Sequence, residues 1–187
     1  MSNLSNNSES MNAAGPAVAT LDEREIAEYR ALVSRLMSEV RRGAGSRGFQ
    51  NKGVDHAKIV VDTMIDSAEQ SICVYANQLS NQVYSADKIK AFLARRPGGS
   101  VTVAIEDARA FSSTKSALVD LKAEIAADRI QVTVAKHPFV NRNVCIVDGI
   151  FVRQERNQLT REAAVVFGNA EVGNQAQVFF RFVQGVA

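Results

Sequence analysis

The residue types best suited to chemistry in this chain crowd one stretch, His137 to Glu155, reading HPFVNRNVCIVDGIFVRQE. Along it Asn141, Asn143, Cys145 and Val147 alternate with Arg142, Val144 and Ile146, so in a strand the two amides share one face that is otherwise apolar. Amides there must find polar partners, because buried polar groups are hydrogen-bonded in folded proteins. Asp148 and Gly149 make an Asp-Gly turn signal, and Arg153, Glu155 and Arg156 follow it. Each guanidinium offers a planar fork of donors to a phosphate or carboxylate. His137, Asp148 and Glu155 are types that serve as acid and base, and the carboxylates also suit a divalent cation. The competing account of Arg153, Glu155 and Arg156 is a surface salt-bridged hairpin with no ligand.

A strand carrying such residues needs neighbours to position it, and the flanking sequence supplies them. From Val54 onward a helical spacing (Ala57, Val60, Val61, Met64, Ile65, Ala68) feeds the β-rich run SICVYA. ADKIKAFLARR is the next amphipathic helix, stopped at Pro97-Gly98-Gly99, and VTVAIED is the strand after it. A helix between Ser112 and Ala127 and the strand IQVTVAK complete a series that implies right-handed crossovers and a largely parallel sheet. RNVCIVD, IFVRQE and AAVVF then follow with tight links, adding antiparallel neighbours, and EVGNQAQVFFRFVQ closes the chain as a helix. The polar residues at the strand ends are Asn77 and Gln78, Glu106 and Asp107, and Asn169. This is the rim at which α/β sheets place their sites, although turn capping is the simpler role for Asp107 and Asn169.

The N-terminal third differs in character. Residues 1–19 are rich in Asn, Ser, Ala and Gly and read as a disordered tail. Residues 20–43 read as an amphipathic helix opened by a Thr20–Glu23 capping box, with Ile26, Tyr29, Val33, Leu36, Met37 and Val40 on one stripe. That stripe must pack on the body, on a second copy or on a protein partner. Residues 44–53, with Gly, Arg47 and Lys52, read as a flexible basic linker, and residues 54–187 as the compact domain.

Composition narrows the function classes. The 187 residues are 46% hydrophobic and 22% charged, with a formal net charge of +2, far below the basic excess that by itself argues for nucleic-acid binding. Cys73 and Cys145 lie in apolar runs and read as unpaired core thiols. With His56 and His137 as the only histidines and no CxxC, neither a metal site nor a cofactor is expected. No run approaches a membrane span, so a soluble, cytoplasmic protein is expected, without membrane contact.

The order of elements from about Val54 to the C-terminus, with the spacing N-R-N-VCIV-D from Asn141 through Asn143 to Asp148, resembles the phospholipase D-like superfamily and its H-x-K-x4-D signature. The resemblance implies an α/β fold with a mixed, mostly parallel sheet flanked by helices, plus the extra N-terminal helix. In that family the His attacks phosphorus, the Lys neutralises the phosphoryl oxygens and the Asp orients the imidazole. An amide has no basic lone pair to form a phosphohistidine, and Asn143 brings no charge. The resemblance therefore implies a vestigial motif and a degenerate domain that binds or regulates, with Asn77, Gln78, Asn141, Asn143, Asp148, Arg153 and Glu155 as candidate ligand-binding residues. Because the family brings two motifs together, it also implies a homodimer, with nucleic acid or another phosphate-bearing ligand as partner. The alternative is an active phosphodiesterase or nuclease working through His137, Glu155 or Asp148.

Overall fold

The computed structural model describes residues 21–77, 79–107, 113–124, 128–138 and 142–185. The expected tail, the Thr20 cap, Gln78 and Asn141 lie outside these.

The described elements, in chain order, are α1 Glu23–Arg41, β1 Arg47–Asn51, α2 Val54–Ser67, β2 Ser71–Ala76, α3 Ala86–Arg95, β3 Ser100–Ile105, α4 Ser113–Glu124, β4 Ile130–Val134, β5 Asn143–Val147, β6 Phe151–Asn157, β7 Glu162–Phe167 and α5 Ala170–Gln184. The strands form one sheet in the order β1-β7-β6-β5-β2-β3-β4. Helices cover both faces. Val33 and Met37 of α1, with the apolar stripes of α2, α3 and α4, pack on one face. On the other, Phe180 and Val183 of α5 lie against Tyr75, Val144, Ile146 and Val152.

The mixed α/β sheet is as expected, but its balance is not. Parallel pairing joins β2 to β3 and β3 to β4, whereas β1–β7, β7–β6, β6–β5 and β5–β2 are antiparallel. The tight links after Asn143 account for β5–β6 and β6–β7, since a short turn can only reverse a strand, whereas β5–β2 and β1–β7 join strands distant in the chain. Asp148 and Gly149 have φ of 52° and 68°, and Ile150 N–H donates to the Val147 carbonyl at 3.2 Å. This left-handed pair is the turn whose twist matches a hairpin.

Residues 44–53 are not a linker. Arg47–Asn51 pairs along its length with β7, and Phe49 meets the Phe167 ring edge-on at 5.5 Å. Local pattern concealed the strand, because RGFQN carries one large apolar residue and a glycine; its pairing with a strand more than a hundred residues later supplies what propensity does not. Likewise the stripe of α1 packs on its own body, with Val33 at 0% and Met37 at 2% exposure and Tyr29, Leu36 and Val40 against the same core. The boundary expected at Val54 therefore falls inside one core, and the α1 stripe is not open to a protein partner. The capping box of α1 is formed by Asp22 and Glu25: Asp22 Oδ1 accepts from Glu25 N–H at 2.8 Å, and Glu25 Oε2 accepts from Asp22 N–H at 3.0 Å.

Candidate functional site

Register assembles a site at the rim where β5 begins. Asn143 stands opposite Glu155, Glu155 opposite Ala163, and Ala163 opposite Asn51. These four neighbours belong to the face that α2 covers, alongside Cys145 and Val165. Ala163 contributes only a methyl group, and a guanidinium bridges the polar residues on either side of it in register. Arg153 donates from Nε to Asn51 Oδ1 at 3.3 Å and from both terminal nitrogens to Glu155 Oε2 at 3.1 and 3.2 Å. It also donates to the Arg161 carbonyl at 3.2 Å. The other Glu155 oxygen accepts from Asn143 Nδ2 at 2.6 Å and from Arg161 at 3.2 Å. Asn143 Oδ1 completes the chain by accepting the Asn77 backbone N–H at 3.0 Å.

Burial decides what this network is. Arg153 and Glu155 are each 1% exposed, Asn51 3% and Asn143 6%, so the pair is no surface hairpin; only Arg156 takes the solvent side. Charges removed from water this completely persist only when their hydrogen-bonding capacity is filled. Glu155 accepts at all four of its lone-pair directions. A carboxylate so occupied has no free lone pair for a proton in transfer or for a cation. Among the described residues no cluster of three or more His, Cys, Asp or Glu has the arrangement to hold a metal.

Two tyrosines wall the network. Burial pushes the Tyr29 phenol up to about 12, against the opposing pull of Arg153, and Tyr84 is raised further by burial while feeling Arg153, Glu155 and Arg161. Both therefore stay neutral donors. Tyr29 also meets the His56 ring edge-on at 4.4 Å, and His56 Nδ1 lies 2.8 Å from the Lys52 carbonyl. A carbonyl can only accept, so Nδ1 carries the proton and Nε2 is the basic nitrogen of the neutral ring.

Of the expected site residues, then, Asn77, Asn143, Arg153 and Glu155 come together. Asp148 does not. It sits at the far end of β5, where its carboxylate accepts from the backbone N–H groups of Glu69, Gln70 and Ser71 at 2.7–3.2 Å and from Arg41 at 2.7 Å. It clamps the α2–β2 connection, away from the Asn143–Glu155 network. Asn169 lies at that same end and caps α5, accepting Val172 N–H at 3.1 Å. Glu106 accepts the Tyr75 hydroxyl, and Tyr75 belongs to the core on the opposite face. His137 is also on that side, stacked on Phe182 at 4.9 Å. Sequence reasoning missed Asn51 and Arg161. Asn51 was hidden with its strand, and Arg161 follows from the NQLTR turn only once the β6–β7 register is known.

No family model and no curated protein matches this chain. Solved structures do. NucT from Helicobacter pylori is similar with a TM-score of 0.55 and 13% identity, over 75% of this chain and 96% of that one. TrmBL2, an archaeal chromatin protein that binds DNA, is similar with a TM-score of 0.56 and 16% identity, over 85% of this chain and 59% of that one. Polyphosphate kinase from Porphyromonas gingivalis is similar with a TM-score of 0.54 and 12% identity, over 81% of this chain and 27% of that one. This chain thus spans over half of TrmBL2 and about a quarter of the kinase. NucT and the kinase share the phospholipase D-like architecture, and at these identities what carries across is the fold: this chain folds as a phospholipase D-like domain.

Proposed function

We propose that this chain is a catalytically degenerate phospholipase D-like domain, a binding or regulatory module that takes a phosphate-bearing ligand such as nucleic acid and works as a homodimer. The observation that carries the reading is the pairing of Asn143 with Glu155. Where the family's motif has a cation for the phosphoryl oxygens, this chain has a neutral amide held 2.6 Å from a buried carboxylate. A negative charge there opposes the charge that develops on a phosphoryl group in transfer. The partial surplus of positive charge, Arg153 and Arg161 against Glu155, still favours an anion nearby. DNA binding by TrmBL2 lends the nucleic-acid reading support from a protein of similar fold. Dimerisation rests on the single motif per chain.

The test is to incubate purified protein with single- and double-stranded DNA, RNA and a generic phosphodiester, in Mg²⁺, Mn²⁺ or EDTA, and to measure binding in parallel. Binding that weakens with salt, without turnover, supports the reading. Light scattering that gives a concentration-independent monomer removes the dimer.

One observation favours the second reading, an active phosphodiesterase with a non-standard site. His137, Glu155 and Asp148 are committed elsewhere, but His56 beside Tyr29 has its tautomer fixed with Nε2 basic. Turnover lost in His56→Asn would establish that enzyme.

A further inference from the structure

We infer that the corner where β1 runs into α2, with the β6–β7 turn folded over it, is a phosphate-binding site adjoining the Glu155 network. Four buried polar atoms on the elements that meet at this corner have no hydrogen-bond partner among the described residues: Tyr29 Oη, Asn51 Nδ2, Gln158 Nε2 and Thr160 Oγ1. Contacts bring their elements together. The Thr160 carbonyl accepts Gly53 N–H at 2.8 Å, Tyr29 lies against His56 in the first turn of α2, and Asn51 turns its oxygen to Arg153. Asn51 is 3% exposed, so its amide nitrogen is a buried donor committed to nothing. Buried polar atoms are ordinarily satisfied, and such a group of exceptions in one corner points to a missing acceptor.

All four atoms can donate, and the two amide nitrogens can do nothing else. One water oxygen accepts from at most two of these donors, whereas a phosphate presents several acceptor oxygens on one group and can meet all four at once. Two further features bear on the charge of that group. The N-terminus of α2 is capped by Gly53 with no side-chain hydrogen bond, and unpaired N–H groups at a helix start favour anions. Arg153 and Arg161, both paired with Glu155, flank the corner, against the Asp55 carboxylate in the first turn of α2. Arg161 is held at φ 54°, a left-handed conformation uncommon for its type, and its side chain folds back over the site. The group recognised is a phosphate, either free or at the end of a nucleic-acid strand. The inference deepens the proposed phosphate-binding module and rests on it only for the source of the phosphate.

The full chain is titrated calorimetrically and melted in inorganic phosphate against chloride at matched ionic strength, with Thr160→Val, Gln158→Leu and Arg161→Gln as variants checked by circular dichroism. Phosphate-specific stabilisation is expected, because a ligand bound only by the folded state raises its stability. Each variant is expected to weaken phosphate binding by about tenfold. Melting curves identical in phosphate and chloride, the outcome for a corner that holds only water, overturn the inference, as does undiminished phosphate binding in all three variants. Oligonucleotides with and without a 5′-phosphate form the second arm. Tighter binding of the phosphorylated strand, lost in Thr160→Val, supports a nucleic-acid source. Inorganic phosphate bound with no oligonucleotide binding supports the site and sinks the nucleic-acid reading. Oligonucleotides bound equally by all variants, with no phosphate binding, sink the site and leave that reading standing.

Discussion

Replacing Arg153 with Met takes two of the four hydrogen bonds from Glu155 and leaves its carboxylate, 1% exposed, with Arg161 and Asn143 alone. Removing one partner of a buried pair costs about 3–5 kcal/mol, because the other charge remains desolvated. Arg161 is a partial replacement, so a loss of about 3–4 kcal/mol is expected. Glu155→Leu strands the opposite charge and leaves two guanidiniums facing each other, for about 2–4 kcal/mol. In Arg153→Met/Glu155→Leu neither member of the buried pair remains charged, and the residual cost is the groups left unpaired on Asn143, Asn51 and Arg161, about 1–3 kcal/mol. The double variant should thus be more stable than the sum of the single effects by at least about 2 kcal/mol. Urea denaturation followed by far-ultraviolet circular dichroism measures this, the chain having no tryptophan. A domain of ordinary stability, about 5–15 kcal/mol, leaves the single variants folded enough to titrate. Single losses under about 1 kcal/mol that simply add would refute the coupled network.

Three further outcomes follow from particular contacts. Asp148→Asn weakens charge-assisted bonds to three backbone amides and Arg41, so a loss of about 2–4 kcal/mol is expected in the same urea assay, with ligand affinity unchanged; a stable variant with altered affinity would return Asp148 to the site. Gly173→Ala sets a Cβ 1.9 Å from the Gly149 carbonyl oxygen, backbone against backbone, and α5 must lift from the β5–β6 turn, lowering stability by about 1–3 kcal/mol or more; an unmoved urea midpoint would contradict that close approach. The Tyr29 phenol has a folded-state value of about 12 against an ordinary 10.0. Its contribution is whole below the unfolded value and is lost as pH rises from about 10 towards about 12. Stability measured across that window should fall less steeply in Tyr29→Phe, and an unchanged slope would show that Tyr29 ionises as easily in the folded protein.

Much of the architecture was legible because its signals are local. The stripes of α2 and α3, the Pro97-Gly98-Gly99 stop and the Asp148-Gly149 turn each encode an element within a short window. What stayed hidden depends on pairing across the chain. β1 has no apolar alternation and forms because β7 accepts it. The mostly parallel expectation failed for the same reason, since β5 enters the sheet beside β2 as an antiparallel strand and β1 adds another antiparallel ladder at the edge. At the site, alternation correctly put Asn143 on a face needing partners, and those partners proved to be Glu155 across the hairpin and Asn77 beyond β2. Spacing alone grouped Asp148 with them, although five residues of extended strand separate two ends of a sheet by about 17 Å. A motif read along the sequence does not say which of its members share an end.

The central claim, a binding site in which phosphoryl transfer has been lost, is tested most directly by following one labelled single-stranded DNA with wild-type protein for both binding and cleavage, with Mg²⁺, Mn²⁺ or EDTA. The account predicts salt-sensitive binding with the strand intact in every condition. Cleavage that disappears in Asn143→Ala or Glu155→Gln, with both variants folded, would contradict it.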